Sequence, residues 1–160
     1  MDISFDIYND KGDQVRVALS YYDTESLQVF TNDPLTLTLV FYDVTLVRIA
    51  GEEPVGVKTL RAICDVLFRF MNDNDTAVLC FYCDDLTEVP RNHKNLTPQE
   101  YRSRLFSHMF DMYVKANGIS GIINYGIKIE DDNIPRFAHF ITQEKYLPAV
   151  KLLGNIIMEK

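Results

Sequence analysis

The sequence predicts an α+β fold, with helices packed on a mixed, mostly antiparallel sheet in a single domain over residues 1–160. Three observations carry this. The early part alternates apolar and polar residues with period two. Apolar residues later recur at helical spacing in three separate stretches. Between two of those stretches stands a short apolar run, Ala77-Val78-Leu79-Cys80-Phe81-Tyr82. Strands first and helices later is the α+β pattern. A chain of 160 residues fits one domain. It buries roughly 70% of its extended-chain surface, so it folds without a disulfide or a metal.

The first pair of strands is read as a hairpin. Ile3, Phe5 and Ile7 alternate with polar neighbours, Asn9-Asp10-Lys11-Gly12 supplies turn chemistry, and Val15, Val17, Leu19 and Tyr21 resume the alternation. After Asn32-Asp33-Pro34, Leu35, Leu37, Leu39 and Phe41 alternate again, and the apolar character runs on to Ile49 through an expected bend or bulge near Asp43. A helix follows Gly51-Glu52-Glu53-Pro54, with Val57, Leu60, Cys64, Leu67, Phe68 and Met71 at its spacing and Ile63, Val66 and Phe70 widening the apolar face. Arg61, Asp65 and Arg69 read as an ion-pair row opposite. The chain breaks at Asn72-Asp73-Asn74-Asp75, and the run from Thr76 to Cys83 has the length and residue types of a strand covered on both faces.

A polar loop, Asp84 to Leu96, leads to Thr97-Pro98-Gln99-Glu100. Here Thr97 can cap, Pro98 fits the first helical position, and Glu100 can reach back to the Thr97 amide. That helix is expected to end at Asn117-Gly118. Ile123, Tyr125, Ile127 and Ile129 then alternate, Asp131-Asp132-Asn133 turns the chain, Phe137 to Ile141 forms another strand, and Leu147 to Met158 closes as a helix. The expected order is β-β-β(-β)-α-β-α-β-β-α.

The chemistry is sparse. The 23 acidic and 16 basic residues leave a net charge of −7, with the basic ones dispersed, which argues against nucleic acid and anionic membrane as partners. The amino-terminal residues lack the basic and apolar regions of a signal peptide, and three cysteines do not make a disulfide framework, so a reduced, cytoplasmic protein is expected. Cys80 and Cys83 have redox or zinc spacing, but on a strand they point to opposite faces and read as small buried hydrophobes. His93, His108 and His139 make no metal-ligand pattern; no metal and no cofactor is expected. His108 lies near the apolar side of its helix and is expected to be hydrogen-bonded in or near the core. A Ser-His-Asp arrangement assembles in space and leaves no trace in spacing, and no G-x-S-x-G is present. The segment 51–56 spaces its glycines wrongly for a phosphate loop. What stands out is Asp84 and Asp85 at the carboxyl end of the central strand, with Arg102 and Arg104 close behind on the next helix. They are the candidate ligand-binding residues, either as a polar pocket or as a structural Asp84–Arg102 pair.

The run Phe81-Tyr82-Cys83-Asp84, followed by Arg102-Ser103-Arg104-Leu105-Phe106 and then Phe110, resembles a family of small uncharacterised proteins of Bacteroidetes-type genomes, a domain of unknown function. The chain departs from that pattern at Asp85-Leu86-Thr87, where a small glycine-containing turn is expected, and at Met109, where an aromatic is. The resemblance implies kinship and fold, and no activity. The element order also resembles the later part of the acetyltransferase (GNAT-like) fold, although Val55-Gly56-Val57-Lys58-Thr59-Leu60 lacks that family's Gly-rich segment. The reading that follows is a non-enzymatic interaction or accessory protein with a protein partner or self-association. The alternative is a degenerate acyltransferase-like binder of acyl-CoA or a nucleotide.

Overall fold

The computed structural model describes residues 3–22, 38–51, 57–83, 98–131 and 134–159. Strands β1 (Ile3–Tyr8) and β2 (Gln14–Tyr22) form the expected hairpin, pairing Ile3 with Leu19 and Ile7 with Val15. Gly12 takes φ 83° in its turn, a conformation that a Cβ would oppose. Asn9 holds the turn through its side chain, whose Oδ1 accepts from the amides of Lys11 and Asp13. Strand β3 (Val40–Ala50) follows, then helix α1 (Val57–Asp73), strand β4 (Ala77–Cys83) and helix α2 (Pro98–Ala116). Strands β5 (Ile122–Asp131) and β6 (Ile134–Gln143), a 3-10 turn (Glu144–Tyr146) and helix α3 (Leu147–Glu159) complete the chain.

The class is α+β, and the six strands make one open sheet in the order β1-β2-β3-β4-β6-β5. All neighbours are antiparallel except β3 and β4. The α1 connection between β3 and β4 is what a parallel pair requires, because no tight turn can join parallel neighbours. The expected leading strand from Leu35 starts at Val40; positions 35–37 lie outside the described residues. Helix α2 ends as its Asn117-Gly118 pair predicts. Gly118 has φ 60°, and the amides of Gly118 and Ile119 return to the carbonyls of Lys115 and Val114, closing the end in a Schellman arrangement.

Alternation along the strands divides the core in two. On one face Val17, Leu19, Val44, Leu79, Phe81 and Ile141 pack with Ile63, Leu67 and Phe70 of α1 and Phe110 of α2. On the other, Leu39, Phe41, Val78, Cys80, Ala138 and Phe140 pack with Ala149 and Val150 of α3. Thus α1 and α2 share a face and α3 covers the opposite one. Strand β4 contributes to both clusters, and full burial of each such apolar side chain is worth about 1.5–3 kcal/mol. Between α1 and α2, the Tyr113 hydroxyl donates to Asp65, and Phe68 stacks on Phe110 and Tyr113. Burial and the carboxylate together push the Tyr113 phenol up to about 12. Asp65, expected in a row with arginines, is therefore part of the helix–helix contact.

Candidate functional site

The parallel pair is short. β3 and β4 are in register only from Val40↔Ala77 to Asp43↔Cys80, yet β3 runs on to Ala50 and β4 to Cys83. Past Asp43, β3 stays paired with β2, and past Cys80, β4 stays paired with β6. The two strands part, leaving among the described residues a gap in the middle of the sheet at their carboxyl ends. Crevices outside the carboxyl ends of parallel strands are where open sheets accommodate ligands. The expected bulge near Asp43 lies elsewhere. The β2–β3 register is unbroken from Phe41 to Arg48 and shifts at Gln14/Val15, with Ile49 as the extra residue. What happens at Asp43 is the end of pairing with β4.

The backbone along the gap follows from one hydrogen bond. The Val40 amide donates to the Thr76 carbonyl, so Val40 addresses β4. Alternation then turns the backbone groups of Val44, Leu46 and Arg48 toward the gap and those of Thr45 and Val47 toward β2. Among the described residues no strand pairs with that side of β3 beyond Asp43. Of the side chains there, Leu46 is 45% exposed, Val47 41% and Ile49 44%, with Tyr82 of β4 at 47%; Thr45 and Arg48 are exposed between them, and Val44 is buried.

Asp43 stands at the closed end. Its side chain reaches solvent on one side, while the sheet desolvates the other enough to push the carboxyl above its ordinary value; the Cys80 hydrogen bond works in the opposite direction. Among the described residues it has no Lys or Arg partner. Cys80 itself is buried in the α3-side cluster, as a small hydrophobe. The remaining described thiol, Cys64, is half-buried and raised to about 11 by burial first and Asp65 second, which leaves it protonated and unreactive.

Of the residues singled out in the sequence, Asp84 and Asp85 lie outside the described residues, as does the Thr97 cap. Arg102 is in α2, and its side chain, and with it the Asp84–Arg102 pair, is likewise outside what is described. Arg104 is exposed and pairs with Glu100 one turn earlier at 3.1 Å, a surface pair worth at most about 1 kcal/mol. No three of His, Cys, Asp and Glu converge among the described residues, and no described helix is long and apolar enough to cross a membrane.

Sequence reasoning missed a buried polar chain beneath α2. His139 of β6 is 4% exposed. Its Nε2 lies 2.7 Å from Ser103 Oγ of α2 and its Nδ1 2.9 Å from Asn124 Oδ1 of β5. Asn124 Nδ2 in turn donates to Ser107 Oγ at 3.2 Å. With Asn124 Oδ1 facing the ring, Nδ1 carries the proton toward it and Ser103 donates to Nε2. Burial lowers the His139 pKa to about 4, keeping the ring neutral. The connectivity is that of a serine–histidine–asparagine constellation. It is walled in, however. Phe106 lies against the imidazole and against Phe81, and both Ser103 and His139 are buried. Ser103 is only 8% exposed, and the polar chain ties α2, β6 and β5 together. His108, by contrast, is exposed, contrary to expectation. The available sequence signals were Gly126, a residue without a side chain in an apolar strand, and His139 at an inward position. Gly126 is the register partner of His139, and a Cβ there would sit 3.4 Å from the ring.

Comparison with protein-family models, with curated proteins and with solved structures yields no match to this chain.

Proposed function

We propose that the protein is a non-enzymatic interaction module that takes up an extended segment of a partner protein in the gap between β3 and β4. One observation carries the reading: beyond Asp43 no strand among the described residues pairs with the gap side of β3, where Leu46, Val47 and Ile49 are exposed. Such an edge is a template for another strand, and Arg48 is the one charged side chain on β3 beyond Asp43. Strand addition supplies affinity through main-chain hydrogen bonds and specificity through alternate side chains. The net charge of −7, with Glu52-Glu53 following β3 and Asp84-Asp85 following β4 in sequence, favours a basic segment.

The test uses the alternation of β3. Leu46→Pro removes an amide that addresses the gap and spares the β2 ladder, whereas Val47→Pro removes one from the ladder itself. Leu46→Pro is expected to keep the fold and lose a partner captured by the wild-type protein, while Val47→Pro lowers the melting temperature. Equal capture by wild type and Leu46→Pro would sink the reading.

A second reading is favoured by the strand order, with a parallel pair at its centre that parts after Asp43. The acetyltransferase-like element order implies an acyl-CoA as the ligand of that reading. The acidic balance and the lack of a Gly-rich turn at 51–56 weigh against the phosphates of such a ligand. A thermal shift with acyl-CoA, about 2.7 kcal/mol at 100 times the dissociation constant, would favour it over strand uptake.

A further inference from the structure

We infer that the closed end of the gap is a recognition site for a primary ammonium group, with Asp43 receiving the free amino terminus of an extended peptide that runs alongside β3 in the same direction. The inference rests on the reading of the gap as a strand-accepting site and adds the polarity and end chemistry of the strand. β3 and β4 pair directly with each other from Val40 to Asp43, so a chain lying in the gap cannot continue past that point in the sheet. An added strand begins or ends there, its chain either terminating or turning out of the sheet, and a free terminus needs no such turn. The group waiting at that point is a carboxylate, which repels a terminal carboxylate and attracts a terminal ammonium. The chain therefore starts at Asp43 and leads away toward Ala50.

The environment fits this role. Asp43 is partly desolvated without a cationic partner among the described residues, and the weak thiol donor Cys80 hydrogen-bonds to it. An incoming ammonium would supply the missing counter-charge through charge-assisted hydrogen bonds, which are roughly twice as strong as neutral ones. The first residue's backbone would lie beside Asp43, and the next ones would face the amides and carbonyls of Val44, Leu46 and Arg48. Exposed Leu46 and Val47 lie on opposite faces of β3, so alternate side chains of the peptide would find an apolar neighbour on each.

The experiment compares two libraries of random extended peptides, both attached to beads by their carboxyl ends. One has a free amino terminus and the other is acetylated. They are screened against the wild-type protein, Asp43→Asn, Asp43→Ser and Leu46→Pro, with melting temperatures recorded for each. Binders are expected from the free-amine library alone. Each should weaken at least about tenfold with either Asp43 variant and be lost with Leu46→Pro. The Asp43 variants should keep the wild-type melting temperature, because the side chain is exposed and its ionised form is disfavoured by its surroundings. Equal binders from the acetylated library, or undiminished binding to Asp43→Asn and Asp43→Ser, would overturn ammonium recognition and leave strand uptake standing. No binder from either library would overturn both.

Discussion

His139 shows how a single residue can hold three elements together and leave a signature in the pH dependence of stability. Its imidazole is neutral in the folded protein because burial lowers the pKa from 6.5 to about 4. In the unfolded chain it regains its ordinary value and binds a proton in the interval between the two. The unfolded state then binds more protons than the native one, so stability falls as pH drops from about 6.5 toward about 4 and is fully present above that window. The full shift corresponds to about 3 kcal/mol. Denaturant melts of wild type and His139→Gln across pH 4–7 are expected to show this acid-side loss in the former and a flatter curve in the latter. Parallel curves would refute the assignment. Ser103→Ala leaves Nε2 as a buried acceptor without its donor and is expected to cost about 1–3 kcal/mol at neutral pH, measured by the same melts. Neither partner was legible in the sequence. Ser103 and His139 are 36 residues apart, and Asn124 is 15 from the histidine. Only the β5–β6 register and the seating of α2 bring them together.

At the scale of elements, β3 and α3 make distinct predictions. The amides of Val44, Leu46 and Arg48 face the gap and those of Thr45 and Val47 face β2, so hydrogen exchange along β3 is expected to alternate fast and slow beyond Asp43. Uniform protection from Val44 to Arg48 would mean that the gap side is covered in solution. Helix α3 approaches the sheet closely at Gly154, where an added Cβ would lie 3.1 Å and 3.3 Å from ring atoms of Phe140, a residue with no exposed surface. Replacing a helical glycine with alanine ordinarily stabilises by about 0.5–1 kcal/mol. Here the enclosed Phe140 ring would have to give by a few tenths of an ångström, and overpacking of this kind, at a typical cost of about 1–3 kcal/mol, outweighs that gain. Gly154→Ala is therefore expected to lower the melting temperature; a raised one would show that α3 can retreat from Phe140.

Across the whole molecule, the two apolar clusters lie on opposite faces of the sheet and are joined by the strands they share. Leu79 is 1% exposed on the α1/α2 face, and Val78 is fully buried on the α3 face. Because β4 supplies both, damage to one cluster is transmitted to the other. Leu79→Ala is expected to cost about 2–5 kcal/mol, and unfolding should remain one transition, with far-ultraviolet and near-ultraviolet circular dichroism changing together. Separate transitions would show that the two faces fold independently.

The sequence alone determined the α+β class, the identity of most elements and the placement of β4 inside the molecule. Period-two and period-3.6 patterns, the Asn-Gly helix stop and the turn at Gly12 are written in consecutive residues, and local backbone geometry reads them directly. Tertiary structure decided what depends on residues far apart in the chain. It set β6 rather than β5 beside β4, put α1 and α2 on one face, parted β3 from β4 after Asp43, and enclosed His139 between Ser103 and Asn124. The physical reason is that periodicity tells a segment which face to bury but does not name the segment that will cover it; that choice belongs to the packing of the whole chain.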